Sequence, residues 1–192
     1  ESGQWHMLAD AHKFNPKTDE WTKLPDIQPK DDTQPRCVMA GTAAAVGANS
    51  LLIFGGANGQ RFITLQGLTA QINAAVGAEN FGAAATLTAE QQKIQDEHNG
   101  FSRDVLIFNT VTGKWREFAK FKEDSRSATA LGATDQVAIG SHVTTTAVKW
   151  GDSIIIPSGE SSPGIRTPNI WKIDLAESER NFGTANWTVL TL

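Results

Sequence analysis

Glu160 and Arg166 stand six positions apart in the stretch Ser158-Gly159-Glu160-Ser161-Ser162-Pro163-Gly164-Ile165-Arg166-Thr167. A carboxylate can take a proton from a hydroxyl, and a guanidinium fork can hold an anion. Between them Pro163-Gly164 marks a tight turn. Two opposed charges fixed across such a turn suit one small polar ligand, of the kind met in sugar chemistry. A solvated loop with a surface ion pair would use the same residue types, and surface pairs contribute little to stability. His142, at the start of an inner strand, could face the channel. His6, His12 and His98 lack the spacing of metal ligands, so no metal site is expected.

These residues need elements to hold them. The apolar run Ser153-Ile154-Ile155-Ile156 reads as a buried strand, and Asn169-Ile170-Trp171-Lys172-Ile173 as the next one. The charged pair therefore lies on a connection between strands. The same kind of unit recurs along the chain. Phe14, Asn15, Thr18 and Trp21 match Phe108, Asn109, Thr112 and Trp115 position for position, and a looser copy runs from Trp171 to Trp187. Each copy reads as strand, Asn/Asp-rich turn, and a strand opened by Trp. A second recurring unit lies upstream. Residues 39–46 form a small-residue strand, and Leu51-Leu52-Ile53-Phe54 a strand ending in Gly55-Gly56. Residues 143–149 and Ile154-Ile155-Ile156, ending in Ser158-Gly159, repeat it. A backbone without Cβ can bend sharply and pack close, which suits the glycine doublet.

Four strands per unit, a glycine doublet after the second and a Trp at the fourth predict an all-β, kelch-type β-propeller. A β-sandwich of short strands is the alternative. The chain divides into a blade remnant (1–25), a blade (38–119) interrupted by an insertion (63–102), and a blade (142–192). About two and a half blades are too few to close a ring, so the remaining blades are expected from the rest of the protein or another chain. Glu1 should then lie at a sheet edge. Within the insertion, residues 69–76 and 88–98 look helical. Thr88 with Gln91 forms a capping box, and Gly77 suits a helix end. Helices grown from a propeller loop would cover the face that carries Glu160. Residues 121–141 are rich in Ser, Thr, Ala and Gly and read as a mobile connection.

Composition narrows the function classes. The 17 Lys and Arg against 21 Asp and Glu give a net charge of -4, mixed throughout, with no basic surface for nucleic acid. Apolar residues make up 40% of the 192 residues and charged ones 20%, enough for a folded core. Cys37 is the sole cysteine, so no intrachain disulfide forms. No apolar run has the length of a membrane span. The chain opens at Glu1 without a charged-then-apolar leader, which leaves export open.

With repeats and loop in place, the chain resembles the N-acetylneuraminate epimerases, or sialic acid mutarotases, six-bladed kelch propellers of the cyclically permuted mutarotase group. The resemblance runs through His12-Lys13-Phe14-Asn15-Pro16-Lys17-Thr18, Trp21, Lys23-Leu24 and Met39-Ala40-Gly41. Its most specific part is Gly159-Glu160, Pro163-Gly164 and Arg166-Thr167. Ser158, where Asn is common in the family, and the long 121–141 connection depart from it. The resemblance implies a sugar isomerase with Glu160 as proton acceptor and Arg166 holding the sugar's carboxylate. His142 is a further candidate for substrate binding. The expected substrate is an acidic sugar, with no metal or organic cofactor, in a periplasmic or secreted protein. A non-catalytic kelch module that binds carbohydrate or protein is the competing expectation, since fold does not fix function. A copper sugar oxidase on the same fold would need Tyr, which this chain lacks.

Overall fold

The computed structural model describes residues 5–97, 100–121 and 142–175, together with the backbone of 187–190. Glu1, His98, the 121–141 connection beyond Phe121 and the turn before Trp187 lie outside the described residues. Strands β1 (Ala11–Asn15) and β2 (Glu20–Leu24) pair as an antiparallel hairpin. Next, β3 (Thr42–Val46), β4 (Ser50–Phe54), β5 (Asp104–Asn109) and β6 (Lys114–Lys120) form a four-stranded antiparallel meander. The helices α1 (Gln60–Gly77) and α2 (Phe81–Asp96) are inserted between β4 and β5. The second meander is β7 (Val148–Trp150), β8 (Ser153–Ile156), β11 (Ile170–Asp174) and β12 (Trp187–Leu190). Its β8 and β11 are joined through the hairpin of β9 (Gly159–Ser162) and β10 (Ile165–Thr167).

The sequence repeat is a repeat of turn chemistry. The Asn15 side chain accepts from the Lys17 amide at 3.1 Å, and the Asn15 carbonyl from the Asp19 amide at 2.9 Å. Asn109 does the same work in the other copy. Its side chain accepts from the Val111 and Thr112 amides at 3.0 and 2.8 Å, its carbonyl from Gly113 at 2.9 Å. Each turn closes through a left-handed residue, Asp19 at φ 58° and Gly113 at φ 66°. The turn sets the register, so Phe14 faces Trp21 and Phe108 faces Trp115 across their strands. The ring pairs are nearly superimposable, with centroids 4.9 and 4.6 Å apart and planes at 36° and 37°.

Alternation along β5 gives the first meander two apolar faces. Val105 looks with Leu52 and Phe54 toward Ile154, Ile156, Trp171 and Ile173 of the second meander. Leu106 and Phe108 look the other way, toward Trp115 and Ile27. The Trp115 indole donates to the Pro25 carbonyl at 3.0 Å, and Arg36 donates to the carboxylates of Asp32 and Asp104. Both contacts bind the connection between β2 and β3 to the first meander. Each large side chain buried this way contributes roughly 1.5–3 kcal/mol. Separate four-stranded antiparallel meanders, each continuous in sequence and packed face to face, are the arrangement of neighbouring propeller blades. The chain is a partial kelch-type β-propeller, and the described residues close no ring.

The insertion is helical, with bounds and caps that differ from expectation. α1 starts at Gln60, well before Thr69. Thr88 lies inside α2, where its hydroxyl donates to the Ala84 carbonyl at 2.8 Å, so it caps nothing. The N-cap is Asn80, whose side chain accepts from the Ala83 amide at 3.1 Å. Asn is among the strongest N-caps, and an Ala-rich segment after it propagates readily. Gln91 bonds Thr69 of α1 at 2.8 Å instead of closing a capping box. Gly77 is the last residue of α1, at the helix end as expected, and the left-handed reversal falls two residues later on Glu79 at φ 55°.

Candidate active site

The two whole blades share a lock at the connection from second to third strand. In the first, Met39 and Ala57 exchange two backbone hydrogen bonds, each of 2.9 Å. In the second, Val143 and Glu160 do so, each at 3.0 Å. A glycine precedes the locked residue in both cases. A Cβ on Gly56 would lie 2.9 Å from the Val38 carbonyl, and one on Gly159 would lie 2.6 Å from that of Val143. No side chain fits at either place. The glycine before each locked residue is therefore required by the approach of the incoming strand, and the residue after it is fixed by its backbone bonds.

In the second blade that residue is Glu160. The Pro163-Gly164 turn, with Gly164 at φ 75°, folds the chain back so that Arg166 pairs with Glu160 across the hairpin. The register shifts between Ile165 and Arg166. Directly opposed residues of antiparallel strands share a face. Val143, Glu160 and Arg166 thus form one row across three extended segments, with an apolar neighbour on one flank of the carboxylate and a cation on the other. The Arg166 Nη2 lies 3.8 Å from the Glu160 Oε1. That is a loose pair, and the Glu160 side chain keeps 25% of its surface exposed and Arg166 66%. Both groups can therefore meet a ligand without first breaking a tight bond. The pair is open to bind and to exchange a proton, whereas a closed bidentate bridge would resist both.

His142 lies beneath this row. It is fully buried, 6.2 Å from the Trp171 ring, with Nδ1 3.4 Å from the Pro157 carbonyl. Burial lowers its pKa from the ordinary histidine value, against a smaller opposing effect of that carbonyl. The structure brings Glu160 and Arg166 together and sets His142 in the packing under Gly159, whose absent Cβ would meet the His142 Cβ at 3.0 Å. Thr145 bonds the same Pro157 carbonyl at 3.2 Å. Val143, read only as part of a strand, is the part of the site that motif reading passed over. Aligning Gly55-Gly56 with Ser158-Gly159 puts Ala57 opposite Glu160 and Met39 opposite Val143, and so reveals it. The clefts of about 530 and 910 Å³ beside the first blade do not include Glu160. The first is lined by Gly56 and Arg61, the second by Pro25 and Trp115.

No protein-family model matches the chain. Its sequence is similar to curated proteins named N-acetylneuraminate epimerase. The one from Haemophilus influenzae (strain 86-028NP) is 25% identical over 167 residues, 87% of this chain and 37% of that protein. The one from Yersinia enterocolitica is 28% identical over 170 residues, covering 88% and 36%. The one from Shigella sonnei is 26% identical over 172 residues, covering 90% and 39%. The chain thus spans 36–39% of the length of these relatives. The solved structure of YjhT superposes with a TM-score of 0.63 over 95% of this chain and 43% of its own, at 21% identity. That likeness bears on the fold. The relatives' names agree with the family that the motifs resemble.

Proposed function

We propose that the chain is part of an isomerase that interconverts the anomers of an acidic sugar, with N-acetylneuraminate as the first candidate. The observation that carries the proposal is the row Val143, Glu160, Arg166, with the carboxylate and guanidinium loosely paired and accessible. The names of the curated relatives support it. Glu160 takes the proton from the anomeric hydroxyl. The bond from the anomeric carbon to the ring oxygen breaks as the carbonyl forms, and the ring oxygen takes up a proton. Rotation exposes the other carbonyl face, the ring hydroxyl attacks it, and the protons return by the reverse route. Positioned acid–base groups contribute about 10²- to 10⁴-fold to such steps. Arg166 holds the sugar carboxylate, for which its planar fork is suited. Further blades, from the rest of the protein or another chain, would wall the open side of the site. The periplasmic or secreted location implied by the resemblance goes with the same proposal.

The wide exposure of Arg166 favours a second reading, a non-catalytic kelch module that recognises an acidic carbohydrate or protein. Anomer exchange of N-acetylneuraminate, followed by NMR with the intact protein and its Arg166→Lys variant, separates the two. The isomerase should speed exchange, and the variant should raise the Michaelis constant by about tenfold by losing the bidentate contact. A neutral sugar should not register the change. Exchange at the uncatalysed rate with the parent protein would leave only the binding module.

A further inference from the structure

Thr144 has a backbone that its residue type disfavours. It sits at φ 54°, in the left-handed region, where a β-branched residue is an outlier and glycine is the natural occupant. The conformation itself belongs to the repeat. Ala40, one residue past the Met39 lock in the first blade, has φ 59°. The two left-handed residues are neighbours, the Thr144 amide donating to the Ala40 carbonyl at 3.4 Å. Both turns need that backbone, and neither uses glycine. The first blade, which locks Ala57, has a methyl group there; the second, which locks Glu160, has a hydroxyl and a branched carbon. The flanking side chains have structural work. His142 and Val143 are buried, and Thr145 bonds the Pro157 carbonyl at 3.2 Å. Thr144 between them is exposed, next in the chain to the residue that exchanges both backbone bonds with Glu160.

Strain retained beside a reactive group is a marker of function when packing does not demand the side chain. We propose that Thr144 is a substrate-contacting residue, its hydroxyl giving a hydrogen bond to a polar substituent of the sugar held by Glu160 and Arg166. The proposal rests on the isomerase reading and adds to it a contact that orients the sugar against Glu160. A hydroxyl can both donate and accept, which matches the alcohol and amide groups that a sugar presents.

The test compares three variants in the intact protein, by anomer-exchange kinetics and thermal unfolding. Thr144→Val keeps the branch and the strain and removes the hydroxyl. It should raise the Michaelis constant by about fivefold or more with an unchanged melting temperature. Thr144→Ser keeps the hydroxyl and should hold the parent Michaelis constant. Thr144→Gly relieves the backbone, so it should melt higher while binding the sugar as poorly as the Val variant. A Val variant with the parent Michaelis constant overturns the proposal. Glu160→Gln is run alongside. If it slows exchange while Thr144→Val changes nothing, the inference falls and the isomerase reading stands; if neither slows it, the isomerase reading itself has failed.

Discussion

After β4 the chain passes through Gly56 to Ala57 and rises into two helices; after β8 it passes through Gly159 to Glu160 and returns in a short hairpin. The backbone up to that point is the same device. One glycine lies against the incoming strand, and one residue exchanges paired hydrogen bonds with it. Beyond the lock the two blades differ completely. The first fills its connection with an antiparallel helix pair joined by Gln91 and Thr69. The second fills it with a turn just long enough to bring Arg166 back to Glu160. Both connections leave the second strand of their blade. A propeller thus separates the holding of a residue from its choice. The lock is architectural, and in the proposed function the chemistry enters through the one side chain it presents.

The glycines are where that comparison breaks most sharply. Gly159→Ala puts a methyl group 2.6 Å from the Val143 carbonyl, and backbone cannot give way as a side chain would. It should cost about 2–3 kcal/mol in denaturant unfolding and, by displacing Glu160, abolish anomer exchange. Gly56→Ala meets backbone at 2.9 Å with φ at 87°, so it should destabilise by a similar amount. Its lock presents only Ala57, so exchange measured well below the melting temperature should survive. Equal loss of activity in the two variants would mean that the locks are not independent.

A smaller effect separates the blades by pH. His142 lies under the second lock with its pKa lowered by burial. Its unfolded form binds a proton more readily than its folded form. The stability it contributes is therefore complete above the ordinary histidine value of about 6.5 and is lost as pH falls below it. Melting temperature should decline between about pH 7 and 5, and His142→Gln should flatten the part due to this residue. An identical pH slope in parent and variant would show that His142 is not the titrating group.

Much of the fold was legible because it is written in local chemistry. Asn15 and Asn109 bond amides two and three residues ahead, so the turn and the facing of Phe against Trp are visible at short range. Gly55-Gly56 and Ser158-Gly159 showed through as residue types, although the close approach that requires their glycines is set by Val38 and Val143, distant in sequence. The helix bounds did not. Thr88 and Gln91 have the spacing of a capping box, yet Asn80 had already started the helix, and Thr88 satisfied its hydroxyl on Ala84. At the site, Glu160 and Arg166 were readable from residue type and the Pro-Gly turn. The depth of His142 was not, because it is set by Trp171 and Gly159, neither of them adjacent in sequence. The strain at Thr144 was equally hidden, being a property of backbone that only the neighbouring blade explains.

Glu160→Gln tests the central claim most directly. The amide keeps the size and the paired backbone bonds of the lock and removes only the base. Exchange of N-acetylneuraminate anomers at saturating sugar should slow by roughly 10²-fold or more, with the affinity for the sugar nearly unchanged. Exchange at the parent rate would contradict the account, because the residue that the second blade holds so firmly would then not be the one that moves the proton.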